Sequence, residues 1–289
     1  MTRIRSLTVT LALTLAVGLG GAGCSARKFA YRHGDGLMLR AADEMFALDA
    51  AQKTALEAPL AADLAWHKAN ELPRYVNLLD ELTNLLSGDP QTIGRDQLLA
   101  LFHEGADAFS RLADRLAPDA GPTLAGLTDA QITHAETQLK DALVKQFADL
   151  DLPVEEYVRK RLDNDVKGIA EYLGEVTPVQ RGLLEKSIRE GRDAELARRV
   201  RAGDNGRAFI ATLRARPGAT ALTALLHRWM LTGEVVDSPT AGSALAAARE
   251  RALGMLTTFA HTLTPRQREH ARAVIAGLRA DFAELIAEK

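Results

Sequence analysis

Apolar residues recur every three or four positions over most of the chain, and charged residues occupy the positions between them. After Thr264 one such stripe consists of Ala271, Val274, Ile275, Leu278, Phe282, Leu285 and Ile286. This spacing places side chains on one face of an α-helix, and no segment shows a convincing strand pattern. The sequence therefore predicts an all-α bundle of nine or ten amphipathic helices.

Glycine and proline mark the predicted ends of these helices. The helix that covers residues 96–116 ends before Pro118, and an Asp-, Gly- and Pro-containing loop follows over residues 117–126. Another helix covers residues 193–213 and stops before Pro217 and Gly218. Because the other gaps are short, we predict one continuous helical domain over residues 37–289.

A short phrase with a capping residue and a glutamine recurs at four predicted helix starts. The pairs are Asp49 and Gln52, Thr128 and Gln131, Thr177 and Gln180, and Thr264 and Gln267. In a capping box the Asp or Thr oxygen accepts from the third helical N–H, and the Gln side chain reaches back to the cap's own N–H. The unequal spacing between copies excludes a solenoid of fixed period.

The N-terminal segment has the features of a signal peptide, residues 1–23. Arg3 and Arg5 precede an apolar stretch over residues 7–19, which is shorter than a membrane-spanning helix requires. Small residues then lead to the only cysteine, Cys24. This ending resembles a bacterial lipoprotein signal, although Gly21 stands where that family usually has Leu. Ordinary secretion with cleavage near Ala26 is the alternative.

The lipoprotein resemblance implies cleavage before Cys24, acylation of its thiol and amino group with palmitate-type chains, and a lipidated N-terminal tether over residues 24–36. Ser25 is typical of lipoproteins sent to the outer membrane, so we expect the protein on its periplasmic face, with the membrane as a partner through the lipid. The net charge of −2 argues against nucleic-acid binding. A single cysteine excludes an internal disulfide framework and a multi-cysteine metal site.

A polar signature lies between residues 63 and 75. Asp63, His67 and Glu71 are spaced four residues apart and share one face of a continuous helix. This spacing is compatible with a divalent metal site, a solvated ion-pair ladder or a buried histidine held by Glu71. Pro73 predicts a kink or restart; a structural cluster beside it is the favoured interpretation.

Two aromatic residues and two basic clusters could each have either a structural or a binding role. Trp66 and Tyr75 are interpreted as packing residues with their polar ends near water. Residues 159–161 and 198–201 are rich in Lys and Arg but lie near acidic residues at helical spacing, which is typical of a solvated face. The alternative is a basic strip for anionic envelope partners.

Two motifs suggest relatives. The phrases Leu127-Thr128-x-x-Gln131 and Leu263-Thr264-x-x-Gln267 resemble the Leu-Thr-x-x-Gln motif of small periplasmic helical chaperones of the spheroplast protein Y type. That resemblance implies client binding on a helical surface without ATP. The signature Trp66-His67-x-x-x-Glu71-Leu72-Pro73 resembles an uncharacterised family of Gram-negative lipoproteins.

The expected function is therefore non-enzymatic. We expect a protein-binding or chaperone-like envelope lipoprotein with periplasmic clients or envelope polymer as partners, and we predict no catalytic residues, metal or cofactor. One alternative is a structural or assembly lipoprotein of an envelope complex. The other is a metal-dependent hydrolase that uses Asp63, His67 and Glu71.

Overall fold

The computed structural model describes residues 24–235 and 241–288, so the predicted signal peptide lies outside the described residues. The described chain is helical apart from short connections, without any strand. Its helices are α1 (Cys24–Arg32), α2 (Gly34–Phe46), α3 (Ala50–Asn70), α4 (Leu72–Ser87), α5 (Arg95–Ala125), α6 (Asp129–Phe147), α7 (Val154–Leu173), α8 (Pro178–Ala215), α9 (Ala219–Thr232), α10 (Ala241–Ala260) and α11 (Pro265–Ala287). Short 3₁₀ turns occupy Pro90–Thr92 and Ala148–Asp151. The all-α prediction is confirmed.

Two pairs of helices meet at a single residue. His33 separates α1 from α2, and Glu71 separates α3 from α4. Glu71 keeps right-handed helical backbone angles, and its N–H still donates to the His67 carbonyl at 2.9 Å. Pro73 is the second residue of α4, a position where its missing N–H has no partner to lose. The helix therefore breaks at Glu71 and restarts at Leu72, where the sequence predicts a kink or restart beside Pro73.

None of the helices in the described ranges is both long and apolar enough to cross a bilayer. The helices pack instead around four clusters of buried apolar side chains. The largest cluster lies between α3, α5, α6, α8 and α9 and includes Leu127, Ile132 and Leu213. The long helix α8 contributes to three of the four clusters. It therefore connects parts of the core that shorter helices could not reach together.

The predicted loop over residues 117–126 is wrong. Helix α5 continues through Pro118 and Pro122 to Ala125, although each proline removes an internal helical hydrogen bond. One face of this segment, which includes the fully buried Ala113 and Ala117, packs closely against α9. Tertiary packing therefore outweighs a local penalty of about 3 kcal/mol per proline. The helix predicted over residues 193–213 is likewise only the second half of α8.

The tether predicted over residues 24–36 is helical in the structure, and α1 packs on α11. Arg27 donates to Asp281 Oδ2 at 2.9 and 2.6 Å, and Lys28 donates to Glu284 Oε2 at 2.6 Å. The Tyr31 side chain is buried in a cluster with Leu72, Phe282 and Leu285. Residue 37 therefore marks no structural boundary.

A glycine permits the close approach of α5 and α9. A Cβ atom added to Gly121 would lie 1.9 Å from Thr223 Oγ1 and 3.0 Å from the Ala219 carbonyl oxygen. We expect Gly121→Ala to lower the free energy of unfolding by about 1–3 kcal/mol, because the two helices must separate. Urea unfolding followed by circular dichroism measures the change.

Gly105 on the same helix is the matched control, because a Cβ there has no neighbour within 4 Å. Gly105→Ala should raise the free energy of unfolding by up to about 1 kcal/mol through helix propensity. Equal effects of the two substitutions would contradict the close-packing explanation.

Candidate functional site

The four predicted capping boxes are all present. Asp49, Thr128, Thr177 and Thr264 each accept from the backbone N–H of the glutamine three residues later, at 2.9–3.3 Å. Each glutamine Oε1 accepts in return from the cap's backbone N–H, at 2.9–3.0 Å. The recurring phrases therefore begin helices α3, α6, α8 and α11.

The structure also brings these boxes together in two pairs. Gln52 and Gln131 exchange side-chain amide hydrogen bonds at 3.2 and 2.6 Å, and Gln180 and Gln267 do so at 2.9 and 2.7 Å. Gln180 and Gln267 are fully buried. Each pair of glutamines thus forms a contact between two helix N-termini, or glutamine joint: Gln52 with Gln131, and Gln180 with Gln267. The recurring phrase is therefore not an exposed binding surface.

Each glutamine makes one further bond across its joint. Gln131 Nε2 donates to the carbonyl of Ala47, two residues before the cap Asp49, at 2.9 Å. Gln267 Nε2 donates to the carbonyl of Glu175, two residues before the cap Thr177, at 2.9 Å. The same side chains thus satisfy N–H groups and carbonyls from both chain segments. Buried backbone polar groups require such partners.

Asp63, His67 and Glu71 of the signature are also buried, and each of the two acids faces a basic residue of α5. Glu71 is fully buried and accepts two hydrogen bonds from Arg111, with Nε to Oε1 at 2.7 Å and Nη2 to Oε2 at 2.9 Å. The Arg115 Nε lies 2.7 Å from Asp63 Oδ1. Residues 63 and 71 are thereby held against α5.

Asp63 differs from Glu71 in how its oxygens are used. Although Arg115 is close, neither Asp63 oxygen has an aligned hydrogen bond among the described residues. Burial, together with the nearby charge of Asp119, raises the pKa of Asp63 to about 6, against the opposing effect of Arg115. Arg115 and Asp63 therefore form a close ion pair whose N–H is poorly aligned with the carboxylate.

His67 lies between two tyrosines rather than against Glu71. Tyr31 Oη is 2.8 Å from His67 Nδ1, and Tyr75 Oη is 3.4 Å from His67 Nε2. Burial lowers the pKa of His67, raises that of Tyr75 to about 12 and raises that of Tyr31 further, so these three groups are neutral near pH 7. The interpretation of a histidine held by Glu71 is therefore wrong.

The other residues of the signature are partly buried packing residues. Trp66 and Pro73 are half-buried, and Tyr75 packs with its ring centroid 6.3 Å from that of Phe282. The described residues contain no group of three or more His, Cys, Asp or Glu side chains arranged to hold a metal ion. The signature thus brings together a structural kink and a polar packing cluster.

The basic clusters lie in ion pairs. Lys160 contacts Asp149 at 2.7 Å, Arg198 contacts Glu195 at 2.6 Å, and Arg199 contacts Asp151 at 2.6 Å. These partners are at or near the surface, where ion pairs contribute little stability. The arrangement agrees with a solvated face in which each of these cations already has an acidic neighbour.

A partly open apolar cavity of about 270 Å³ is the feature that sequence reasoning missed. Helices α2, α3, α5, α6, α8 and α9 supply its walls. Nearly all of the lining is apolar and includes Met38, Met45, Trp229 and Met230; Asp63, His67 and Asp119 are among the few polar exceptions. Side chains from six helices meet here, so no local sequence pattern could have located the cavity.

The family of the chain can be stated from its matched segment. Residues 44–231 match the model of the DUF6279 family, a family of unknown function. The chain belongs to this family. The matched segment contains the signature and most of the cavity wall, whereas α10 and α11 lie beyond it. Neither the curated proteins nor the solved structures include a match to this chain.

The buried glutamine joint predicts a specific pattern of stability losses. Gln180→Ala should lower the free energy of unfolding by about 2–4 kcal/mol, because the Gln267 amide and the Thr262 carbonyl lose buried partners. Gln97 is the control, since its Oε1 accepts only from the Gly94 N–H at 2.8 Å and its side chain is exposed. Gln97→Ala should cost at most about 1 kcal/mol.

Urea unfolding of the two variants and of a Gln180→Ala, Gln267→Ala double variant makes the comparison. The double variant should lose clearly less than the sum of the two single variants, because the glutamines share their bonds. Additive losses would show that the reciprocal pair contributes nothing beyond two separate caps.

Proposed function

We propose that the protein is a lipoprotein of the outer membrane, anchored through Cys24 on the periplasmic face, that acts without catalysis by binding apolar segments of client proteins. The observation that carries the binding activity is the partly open apolar cavity of about 270 Å³ between six helices. Ligand sites in proteins are concave and mostly apolar, with a few polar groups that fix orientation. The cavity has this composition.

The lining is suited to varied apolar groups. Met38, Met45 and Met230 supply flexible, polarisable side chains, which adapt to different ligand shapes. Trp229, whose ring centroid lies 4.6 Å from that of Phe209, adds a rigid aromatic surface. Such a lining supports chaperone-like binding, which must accept different client sequences.

The partners of the signature residues support a non-enzymatic function. A hydrolase that uses Asp63, His67 and Glu71 needs these side chains to converge on one metal or substrate atom. Instead Glu71 faces Arg111, His67 lies between two tyrosines, and Asp63 faces Arg115. We therefore do not propose the hydrolase alternative.

The position of α1 bears on how the anchor would act. The described helix begins at Cys24 and is held to α11 by ion pairs of Arg27 and Lys28, and to Glu288 just after α11 by Arg32. A helix rises about 1.5 Å per residue, so Tyr31 in the core is only about 10 Å along the axis from residue 24. Acyl chains on Cys24 would therefore hold the body close to the membrane.

An aggregation assay tests the binding activity. The soluble form, residues 25–289, should suppress the aggregation of a chemically unfolded client protein, because the cavity shields exposed apolar side chains. Ala120→Phe, which fills the cavity from α5, should reduce this suppression at least threefold, measured as the protein concentration for half-maximal effect.

Ala106→Phe is the matched control, since Ala106 is exposed on the same helix and does not line the cavity. Thermal unfolding checks that both variants are folded. No suppression by the wild-type form at stoichiometric excess would remove the client-binding proposal. Recovery of one stable stoichiometric partner instead would favour the assembly-lipoprotein alternative.

Fractionation tests the anchor separately. Wild-type protein should remain with the outer membrane after a salt wash, and its mass should exceed that of the chain from residue 24 by several acyl groups. Cys24→Ala should move the protein to the soluble fraction, because acyl chains bind a bilayer far more tightly than this acidic body does. Unchanged mass and membrane association of Cys24→Ala would contradict the lipid anchor.

A further inference from the structure

The cavity has an acidic end with no matching cation in its lining. Among the described residues, Asp63 on α3 and Asp119 on α5 are the only charged ones that line it, and His67 is the only other titratable one. Helices α2, α6, α8 and α9 contribute uncharged side chains alone. The polar end is therefore confined to the meeting of α3 and α5.

Asp63 is built into this end rather than placed at the surface. Its side chain is 2% exposed, yet neither of its oxygens has an aligned hydrogen bond within the described part of the chain. A buried carboxylate whose ion pair is poorly aligned still has lone pairs that can accept a hydrogen bond from a ligand. The cavity is the open side from which such a ligand can approach.

The charge at this end is also incompletely balanced. When ionised, Asp63 and Asp119 carry two negative charges, Arg115 beside Asp63 carries one positive charge, and burial favours the neutral form of His67. Arg111 does not compensate, because both of its bonds go to Glu71. One negative charge remains beside a low-dielectric cavity, where an incoming cation is attracted more strongly than in water.

The apolar part sets the size of the ligand. A cavity of about 150 Å³ holds a benzene molecule, so the 270 Å³ present here suits an alkyl chain of about ten carbons. We propose that the cavity binds a cationic amphiphile, with its alkyl chain among the apolar side chains and its ammonium group at the Asp63 and Asp119 carboxylates. This inference rests on the proposed function only in placing binding in the same cavity.

Three ligands that share a chain and differ in their head group test the proposal. Decylamine, decanol and decanoate are titrated into residues 25–289 by isothermal calorimetry at pH 7.5, below the concentrations at which they form micelles. The ammonium head should bind at least tenfold more tightly than the carboxylate head and at least threefold more tightly than the alcohol.

Variants test whether the two acids are responsible. Asp63→Asn, Asp119→Asn should reduce the preference for decylamine over decanoate to below threefold, while the affinity for decanol changes little. The control Asp80→Asn, Asp163→Asn alters the net charge equally at exposed ion pairs with Arg279 and Arg181, and it should keep the preference. Ala120→Phe should weaken all three ligands.

The outcomes separate this inference from the client-binding role. Equal binding of amine and acid, a preference that survives in Asp63→Asn, Asp119→Asn, or no binding of any ligand would overturn the inference. The first comparison needs only the wild-type protein, so it holds even if the variant fails to fold. Amine selectivity without aggregation suppression would support this inference and remove the client-binding role. Aggregation suppression without amine selectivity would support the client-binding role and overturn this inference.

Discussion

Helix N-termini that meet inside the protein impose the central constraint on this structure, because their free N–H groups must find partners away from water. Four glutamines meet this requirement in two reciprocal pairs, Gln52 with Gln131 and Gln180 with Gln267. Each pair decides which helices begin side by side: α3 with α6, and α8 with α11. These two contacts thereby fix the N-terminal ends of four helices relative to one another.

The cavity follows from where those helices can and cannot approach. On one side α5 and α9 pack closely, because Gly121 and buried alanines leave room for the neighbouring backbone. Leu112 and Leu116 of the same helix line the cavity together with side chains of α2 and α3. The same helix thus provides a tight contact and a cavity wall.

The signature links this cavity to the N-terminus. His67 lines the cavity, and its Nδ1 lies 2.8 Å from the hydroxyl of Tyr31 on α1. Glu71, one turn later, holds Arg111 of α5 at the kink. The buried contact between Tyr31 and His67 thus joins α1 to the part of α3 that forms the acidic end of the cavity. This arrangement gives the signature a structural role next to the site where we propose binding.

Local interactions were readable from the sequence, and contacts between distant segments were not. Capping boxes and the kink at Pro73 depend on residues three or four positions apart, so Thr128 with Gln131 is recognisable in a short window. The partner of Gln131 is Gln52, in a different helix, and nothing near either residue specifies that choice. Likewise, nothing in the sequence marks Arg111 and Arg115 as the partners of Glu71 and Asp63, because these contacts form between separate helices.

Contacts between distant segments also explain why Pro118 and Pro122 do not end helix α5. A proline at 118 predicts a stop because it removes one local hydrogen bond, whereas the burial that carries α5 past it depends on a helix about a hundred residues away in the chain. The sequence by itself determined the all-helical class, the four capped helix starts and the break beside Pro73, since these depend on local free energies. The tertiary structure alone decided the glutamine partners, the course of α5 and the cavity, because each depends on surfaces that meet only when the chain has folded.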